Sequence, residues 1–588
     1  MKKKTLSTMM LTLLVASVFT LGLAHAGGTT GSPEGWMTGE CDLARTRYYP
    51  YPSKYHIPDK PFEVLWTSPH EGKNLMALTG DVNGDGKLEV VKVSGDNLKV
   101  ISGDGIVLWT ETILGQDEPY GVGRLRLNML EDVTGDGVPE IFVSRKTSYY
   151  IQNIYVYDGN QNRIKTLSGT VSYDGLMNAV AVFDVDKDGD KEIYCGITSN
   201  YVANPRGACL FDYNTGAQLW LYAAGNPIGN SIADLNNDGT LDITNGWWHT
   251  VHNGAAGYGK GSNTYTSDYS IYVVVINENG DEILTKELHG GHNDGSAYAK
   301  IVDLDRDGTK EIIIFHQHWP ELYPGWPEIF LWDSNGNCIK SYKGPYNTAP
   351  YSAAAIADIN KDGKDEVLVR DTVGNLLVLD YNLTVIDSAT GYVPQLVNDI
   401  NGDGELEIIA NVVGTGELAV LDHNLDELWR LSFGGSAKVS DVTGDGVNDI
   451  IMTRGDGLYV LSLPSIEATV NVDPDTLNLK SNGEWISAYI ELPTGFDVAN
   501  IDVSSIVLTA DGADFYVDPA APTAIGDYDL DGVSDLMVKF SRAAIRDYLT
   551  EPDLEIEDGP FYSVGFYITG SVDTITFLGA DTVRVRMP

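Results

Sequence analysis

The sequence is poor in cysteine and in basic residues. Its four cysteines are too few for a disulfide scaffold, although Cys195 and Cys209 lie on two apolar runs around a predicted turn and could pair across it. Lysine and arginine total 39 against 83 aspartates and glutamates, which gives a formal net charge of −44. Such a charge makes nucleic acid an unfavourable partner, because phosphates would be repelled unless a metal intervened.

Long hydrophobic runs are also scarce. One run, residues 9–23, follows three lysines and precedes Ala24-His25-Ala26, which is the pattern of a secretory signal and its cleavage site. No later segment reaches the roughly 18 apolar residues that a membrane-spanning helix needs. We therefore expect residues 1–26 to be a signal peptide and the rest of the chain to be secreted or periplasmic, without a membrane span.

Acidic residues, by contrast, are abundant and concentrated in a nine-residue repeat. The string DVNGDGKLE at residues 81–89 recurs with the shared form D-x-[DNT]-x-D-G-x-x-[DE]. A single copy could be a solvated turn, but nine copies in register favour a common role. The copies, called loops 1 to 9 below, begin at residues 81, 132, 184, 234, 303, 358, 399, 441 and 527.

The spacing within the repeat predicts an oxygen cage for a hard cation. Side chains at positions 1, 3, 5 and 9 and the carbonyl at position 7 can converge, while glycine at position 6 provides a sharp turn. Calcium is favoured over magnesium, which prefers tighter octahedral geometry. No copy has the position-12 glutamate of an EF-hand. We expect up to nine Ca²⁺ sites, with ligands Asp81, Asn83, Asp85, Glu89, Asp132, Thr134, Asp136, Glu140, Asp184, Asp186, Asp188, Glu192, Asp234, Asn236, Asp238, Asp242, Asp303, Asp305, Asp307, Glu311, Asp358, Asn360, Asp362, Glu366, Asp399, Asn401, Asp403, Glu407, Asp441, Thr443, Asp445, Asp449, Asp527, Asp529, Asp531 and Asp535.

Each of the first eight loops belongs to a longer unit. After loop 1 come β-type runs at 90–93, 97–101 and 107–109, and a further strand precedes the loop. Four strands in a repeat of 41 to 69 residues are typical of propeller blades, so eight loops predict eight blades. The last unit has three strands of its own, and we predict that residues 62–67 supply its fourth strand and close the ring.

These units resemble the FG-GAP or VCBS repeats of calcium-binding β-propellers, similar to the head of integrin α chains. The resemblance covers residues 62–464 and rests on the repeated loop, with Phe433-Gly434-Gly435-Ser436 closest to the motif that names the family. It implies an all-β fold, namely an eight-bladed β-propeller with calcium-binding loops. Residues 27–61 would be an N-terminal extension. The short alternating strands of residues 465–588 predict a β-sandwich that carries loop 9.

A candidate ligand-binding face follows from the topology. Antiparallel strands put the acidic loops on one face and the connections between second and third strands on the other. In blades four and five these connections are rich in tryptophan and histidine, and six of the nine histidines after residue 26 lie in residues 249–318. The predicted ligand-binding residues are Trp247, Trp248, His249, His252, His289, His292, Asp294, His316, His318, Trp319, Tyr323 and Trp326.

Several functions are compatible with this cluster. Aromatic rings can stack on sugars while His, Asn and Asp bind hydroxyls, which favours a glycan-binding module. The six imidazoles could instead bind a transition metal or supply a base, and residues 289–318 resemble part of the eight-bladed rhamnogalacturonan lyases, which implies a polysaccharide lyase. Packing between two long loops and protein adhesion are further alternatives. No nucleophile elbow, HExxH helix or phosphate loop is present. An extracellular glycan or protein is thus the expected partner, and no catalytic residue is assigned.

Overall fold

The computed structural model describes residues 47–586 except 73, 117–123, 172–174, 186, 199–204, 225–227, 246–258, 261–270, 290–294, 319–328, 345–354, 372–373, 464, 482, 551–560 and 573–574. The predicted signal peptide, residues 1–26, lies outside the described residues. Strands dominate the rest, which confirms the predicted all-β class. Within the described ranges, no helix has the length and apolar character that crossing a membrane requires.

The first strand, β1 (Glu63–Pro69), is followed by four antiparallel sheets, and sheet 3 gains a short fifth strand, β16. Their strands are β2 (Leu75–Gly80), β3 (Glu89–Ser94), β4 (Asn97–Ile101) and β5 (Val107–Thr112) in sheet 1; β6 (Arg126–Glu131), β7 (Glu140–Ser148), β8 (Ile151–Tyr157) and β9 (Arg163–Thr170) in sheet 2; β10 (Leu176–Phe183), β11 (Glu192–Thr198), β12 (Gly207–Asp212), β13 (Gln218–Ala223) and β16 (Gly259–Lys260) in sheet 3; and β14 (Ile228–Ala233), β15 (Asp242–Asn245), β17 (Ile271–Asn277) and β18 (Glu282–His289) in sheet 4.

Four more sheets of the same antiparallel order follow along the chain. Their strands are β19 (Gly295–Val302), β20 (Glu311–His318), β21 (Ile329–Trp332) and β22 (Cys338–Tyr342) in sheet 5; β23 (Ala355–Ala357), β24 (Glu366–Arg370), β25 (Asn375–Leu379) and β26 (Val385–Thr390) in sheet 6; β27 (Tyr392–Asn398), β28 (Glu407–Val412), β29 (Leu418–Leu421) and β30 (Glu427–Leu431) in sheet 7; and β31 (Ser436–Ser440), β32 (Asp449–Thr453) and β33 (Gly457–Ser462) in sheet 8.

Strand β1 completes sheet 8. It pairs antiparallel with β33, so the strand order is β1-β33-β32-β31, and the prediction that this segment supplies the fourth strand of the last unit is confirmed. Successive sheets share apolar cores, and the series returns to its start: Val90 and Ile101 of sheet 1 lie in one core with Ile451 and Val460 of sheet 8. The start and the end of the series of eight sheets are therefore connected through both backbone pairing and side-chain packing.

Each of loops 1 to 8 connects the first two strands of its sheet. In sheets 1 and 2, the turn between the last two strands packs beside the acidic loop of the preceding sheet. Trp109 of sheet 1 donates from Nε1 to the carbonyl of Gly159 in sheet 2 at 2.7 Å. A Cβ atom on Gly159 would lie 1.7 Å from the carbonyl oxygen of Val82 in loop 1. Trp66 makes the same contact, at 2.6 Å, with Gly103. These tryptophans serve packing between sheets.

We expect Gly159→Ala to destabilise the protein by roughly 2 kcal/mol, because the added methyl group has no room beside the Val82 carbonyl and the backbone must shift. The urea midpoint of unfolding measures the effect. Gly455→Ala is the matched control, since its Cβ would have no neighbour within 4 Å. Equal midpoints for the two variants would contradict this view of how adjacent sheets pack.

The C-terminal region consists of two sheets that face each other across one apolar core. Leu508 and Phe566 line the core from one sheet, and Ile490 and Phe540 from the other. A 3₁₀ turn (Val498–Asn500) and α1 (Arg542–Tyr548) accompany the sheets. The strands are β34 (Ser465–Glu467), β35 (Thr469–Asp473), β36 (Thr476–Asn478), β37 (Trp485–Glu491), β38 (Ile501–Ala510), β39 (Ala513–Tyr516), β40 (Ala524–Gly526), β41 (Asp535–Ser541), β42 (Phe561–Val572) and β43 (Ile575–Arg586).

Residues 47–62, called the strap below, precede β1 and run beside sheets 7 and 8. Tyr49 donates its backbone N–H to the carbonyl of Val397 in β27 at 3.0 Å, and Tyr48 forms a parallel bridge with the same residue. Tyr49, Tyr55, Ile57 and Phe62 are all buried in the core that sheets 7, 8, 1 and 2 share. The strap is thus an integral part of the fold.

Two cysteines are neighbours across a strand pair. Cys195 on β11 and Cys209 on β12 are directly opposite in the register, as expected from their positions around a turn. Both are buried free thiols, so the disulfide that the sequence left open is not formed.

Candidate metal centres

The nine acidic loops share three backbone hydrogen bonds. The position-6 glycine N–H donates to the position-1 aspartate at 2.8–3.2 Å in every loop. The position-2 N–H donates to the position-9 carboxylate at 2.8–3.3 Å. The position-7 N–H donates to the position-5 aspartate at 2.7–2.9 Å. The backbone therefore orients carboxylates 1, 5 and 9 in the same way in all nine copies.

Two positions of each loop have left-handed backbone. At position 6 the glycine φ lies between 84° and 97°, as the sharp turn in the repeat predicts. At position 4 the φ is also positive, although five loops have a non-glycine residue there, such as Lys187 at 59° and Leu530 at 67°. The sequence analysis did not single out position 4. Its signal is weak, because lysine, arginine, asparagine, leucine and glycine all occur there.

Carboxylate oxygens converge most clearly in loops 2, 5 and 9. In each of these loops three acidic side chains offer oxygens that lie within 4.8 Å of one another. Position 3 does not decide this, because loop 2 has threonine there and forms its group from positions 1, 5 and 9; Asp186 of loop 3 lies outside the described residues. The groups are Asp132, Asp136 and Glu140; Asp303, Asp305 and Glu311; and Asp527, Asp529 and Asp535.

Burial raises the pKa of the position-9 carboxyl group in loops 1, 2, 4, 5, 6, 7 and 8, and neighbouring carboxylates add to the effect. The pKa of Glu89 rises to about 7, with Asp85 and Asp81 beside it. In loop 7 the pKa of Glu407 rises to about 9 beside Asp403 and Asp399. These groups release their protons with difficulty unless positive charge enters the loop.

Two buried carboxylate oxygens indicate whether the acidic loops could hold a cation. Oδ1 of Asp242 in loop 4 and Oδ1 of Asp399 in loop 7 are buried, and neither accepts a hydrogen bond from any described residue. A buried carboxylate oxygen without a donor is costly, and a cation would supply the missing partner. An all-oxygen donor set of carboxylates, amides and carbonyls is what hard cations such as Ca²⁺ prefer. The residues of the loops therefore fit the predicted group.

Loop 9 has a further acidic neighbour that the sequence analysis missed. Glu491 on β37 pairs in register with Asp535 on β41. Its carboxylate oxygen lies within 4.8 Å of oxygens of Asp529 and Asp531. Nothing in the local sequence indicates this placement, because Glu491 precedes the loop by 36 residues and joins it only through the pairing of the two strands.

Position-4 side chains link neighbouring loops. Arg306 of loop 5 pairs with Asp358 and Asp365 of the next loop at 3.3 and 2.6 Å. Lys361 of loop 6 contacts Glu405 of loop 7 at 2.8 Å. The loops of sheets 5, 6 and 7 are thus connected directly as well as through their sheets.

Most predicted ligand-binding residues of blades four and five lie outside the described residues. His289 ends β18, and His316 and His318 lie at the end of β20, on the strand ends away from the acidic loops. The His316 side chain is buried in sheet 5, with its ring 6.3 Å from that of Phe330. The residues outside the described ranges are Trp247, Trp248, His249, His252, His292, Asp294, Trp319, Tyr323 and Trp326.

A cavity of about 500 Å³ opens between sheets 8 and 1 at the strand ends away from the acidic loops. The Phe433-Gly434-Gly435 motif borders it, and Arg454 lies over the Phe433 ring at 5.1 Å. His70 contacts the carbonyls of Gly455 and Asn74 at 2.8 and 3.2 Å. The cavity is lined by His70, Asn74, Leu75, Gly434, Gly435, Thr453, Arg454 and Gly455.

Residues 132–195 match the FG-GAP-like repeat family. The match begins at loop 2, continues through sheet 2 and ends at Cys195, just after loop 3. It therefore spans one repeat unit, from one acidic loop to the next. This finding supports the predicted FG-GAP character of the repeats. No curated protein sequence matches the chain.

Solved structures give low-scoring similarities. The complex of BBS1N with ARL6DN, soaked with lead, has a TM-score of 0.35 and 12% identity, over 70% of this chain and 98% of that one. The Vibrio cholerae biofilm matrix protein Bap1 scores 0.29 with 15% identity, over 68% and 90%. BamB from Moraxella catarrhalis scores 0.25 with 13% identity, over 62% and 97%. Scores at this level carry no conclusion about activity or partners.

We expect the cation-free protein to lose stability as the pH rises from about 5 to about 9. Glu89 and Glu407 have folded pKa values of about 7 and about 9, above their usual 4.5. The folded state therefore binds more protons than the unfolded state in this range, so their stabilising effect is complete below the usual pKa and disappears as the pH passes the folded value. Melting temperatures across this range, with excess chelator, measure the decline.

Added Ca²⁺ should flatten this pH profile, because a cation replaces the protons within the loops. Glu407→Gln is the informative variant, since it removes a carboxyl group whose pKa rises to about 9 and should make the cation-free profile less steep. Identical profiles with chelator and with excess Ca²⁺ would count against cation sites in the loops.

Proposed function

We propose that the eight sheets form a closed eight-bladed β-propeller, that loops 1 to 9 bind Ca²⁺, and that the exported protein is a binding or adhesion module. The ligand face is the one opposite the acidic loops, and the ligand is an extracellular glycan. The composition of residues 1–26 supports export, and the repeated loop supports the propeller.

The observation that carries the proposal is that the acidic loops lie on one face of the eight sheets, while the cavity and the long connections lie on the opposite face. Loops 1 to 8 belong to one face and have the same internal hydrogen bonds. The strap covers part of this face at sheets 7 and 8. The opposite face has the cavity between sheets 8 and 1, and the strand ends of sheets 4 and 5 from which the long aromatic segments depart. A ligand therefore has room on that face.

Aromatic and histidine content favours a glycan as the ligand. Residues 246–258 and 319–328 together contain Trp247, Trp248, Trp319 and Trp326, and they leave sheets 4 and 5 from the face opposite the acidic loops. Tryptophan rings stack on the apolar faces of sugar rings, and neighbouring histidine and asparagine side chains can bind the hydroxyl groups. A glycan uses both kinds of side chain.

Glycan-array screening, followed by calorimetry on the best ligand, tests the proposal. Trp248→Ala and Trp319→Ala should each weaken binding by about tenfold or more, because a stacking aromatic anchor is lost. Tyr516→Ala is the control, since Tyr516 is 62% exposed but lies in the C-terminal region. Unchanged affinity in both tryptophan variants, or an equal loss in the control, would contradict the assigned face.

The same preparation separates the other interpretations. Ultraviolet absorbance from new double bonds on pectic substrates, lost in His292→Ala, would indicate a polysaccharide lyase in place of a binding module. Calcium-dependent attachment to cells or matrix that sugars do not inhibit would indicate protein adhesion. Binding of a glycan without product formation is the outcome we expect.

A further inference from the structure

The strap is hydrogen-bonded to the backbone of loops 7 and 8. The N–H groups of Ser53 and Ile57 donate to the carbonyls of Asp399 and Asn401 in loop 7, at 3.0 and 2.7 Å. The N–H of Lys54 donates to the carbonyl of Gly446 in loop 8 at 2.7 Å. Each acceptor belongs to a residue of an acidic loop, so the strap depends on where these loops place their carbonyls.

One strap side chain joins the two loops. The Ser53 hydroxyl donates to the carbonyl of Ile400 in loop 7 at 2.7 Å and accepts from the N–H of Asn448 in loop 8 at 2.9 Å. Asn448 also donates from Nδ2 to the carbonyl of Tyr51 in the strap and to Oδ1 of Asn398, at 2.7 and 3.1 Å. Loops 7 and 8 therefore meet through the strap.

The other side of the strap contacts the C-terminal region. Thr569 donates to the carbonyl of His56 at 2.8 Å, and the His56 ring contacts the Asp514 carboxylate. Tyr55 packs edge-on against Tyr567, with ring centroids 5.1 Å apart. The strap thus lies between two acidic loops and the C-terminal sheets.

Among the described residues, loop 7 is the acidic loop in which the position-1 and position-3 side chains are both buried. Asp399 and Asn401, its position-1 and position-3 residues, are 7% and 5% exposed. A Cβ on Gly404 would lie 3.9 Å from the carbonyl oxygen of Gly512 in the C-terminal region. A buried Asp399 oxygen without a hydrogen-bond donor lies in the same loop. The buried Asp399 carboxylate therefore lies beside the joint between the two parts of the chain.

We propose that cations in loops 7 and 8 act as a clasp that fastens the strap, and through it the C-terminal region, to the ring of sheets. This inference rests on the proposed cation sites. In loop 7 the side chains of Asp399 and Asn401 face the cation while their carbonyls accept the strap, so a cation that fixes these residues also fixes the strap's acceptors. Loss of the cations from loops 7 and 8 loosens the strap and undocks the C-terminal region, whereas loss of a cation from a distant loop such as loop 2 leaves the strap in place.

Hydrogen–deuterium exchange of the full exported chain, with excess Ca²⁺ and with excess chelator, tests the clasp. Ca²⁺ should slow exchange of the amides of Ser53, Lys54 and Ile57 by about tenfold or more, as expected when the ligand is well above its dissociation constant. In the double variant Asp403→Asn, Asp445→Asn this protection should be lost. These position-5 side chains are suited to the test because the strap's hydrogen bonds in the described residues go to other residues of the loops.

Asp136→Asn is the matched control, since it removes the same position-5 carboxylate from loop 2, which the strap does not approach in the described part of the chain. It should lose one cation without changing exchange in the strap. An equal loss of protection in the control would show a general effect of cation binding on stability and would overturn the clasp.

Reciprocity gives a second readout. If the cations fasten the strap, the strap must in turn strengthen cation binding by the same factor. Ser53→Ala, which removes both loop contacts of the hydroxyl, should weaken the cation affinity of two sites about fivefold or more. Ser168→Ala, which removes an exposed hydroxyl from sheet 2, should change none.

The failure of the clasp and the failure of the cation sites are distinguishable. Calorimetry that counts bound Ca²⁺ while strap exchange stays constant overturns the clasp and leaves the cation sites in place. Calorimetry that detects no bound Ca²⁺ overturns both. Small-angle scattering should show the C-terminal region separating from the ring in chelator, and an unchanged profile would also count against the clasp.

Discussion

The convergence of like charges at the first turn of each of sheets 1 to 8 is the constraint on which the rest of the structure depends. Each loop gathers at least three acidic or amide side chains beside a buried strand, and burial together with mutual repulsion raises carboxyl pKa values such as that of Glu407. Backbone N–H groups offset only part of this cost, since Oδ1 of Asp242 and Oδ1 of Asp399 stay without a donor among the described residues. The strands could pair through apolar burial alone, but positive charge in their turns would offset the remaining repulsion between the carboxylates.

Contacts between neighbouring loops and sheets connect the charged turns with one another. Trp109 and the Val82 carbonyl hold Gly159 of the following sheet, and Arg306 reaches from loop 5 to Asp358 in loop 6. The strap then joins loops 7 and 8 to the C-terminal region. A change of charge in one loop therefore reaches its neighbours through contacts of known length, and the strongly acidic composition is compatible with a folded chain because much of the acid belongs to these turns.

The sequence allowed the periodic features to be predicted, because the information for them is local. The nine-residue spacing identified every loop, and the Trp-containing run before loop 1 identified the closing strand β1. Contacts between distant residues could not be predicted. Glu491 reaches loop 9 only through strand register, and His56 meets Asp514 across 458 positions of the chain. The positive φ at position 4 was also missed, since lysine, arginine and leucine, which occupy four of its nine copies, are types that local rules do not associate with left-handed backbone.

Connection lengths argue that recognition belongs to the face away from the loops. All acidic loops have nine residues and the same three hydrogen bonds, so an insertion there would break contacts within the loop and with the next sheet. On the opposite face, β3 ends at Ser94 and β4 begins at Asn97, whereas β15 ends at Asn245 and β17 begins only at Ile271. Length varies where the fold tolerates it, and connections free to vary are where scaffolds of this kind acquire binding sites. The invariant face and the variable face are thus two consequences of one repeat, because fixing the charged turns leaves only the other ends of the strands open to change.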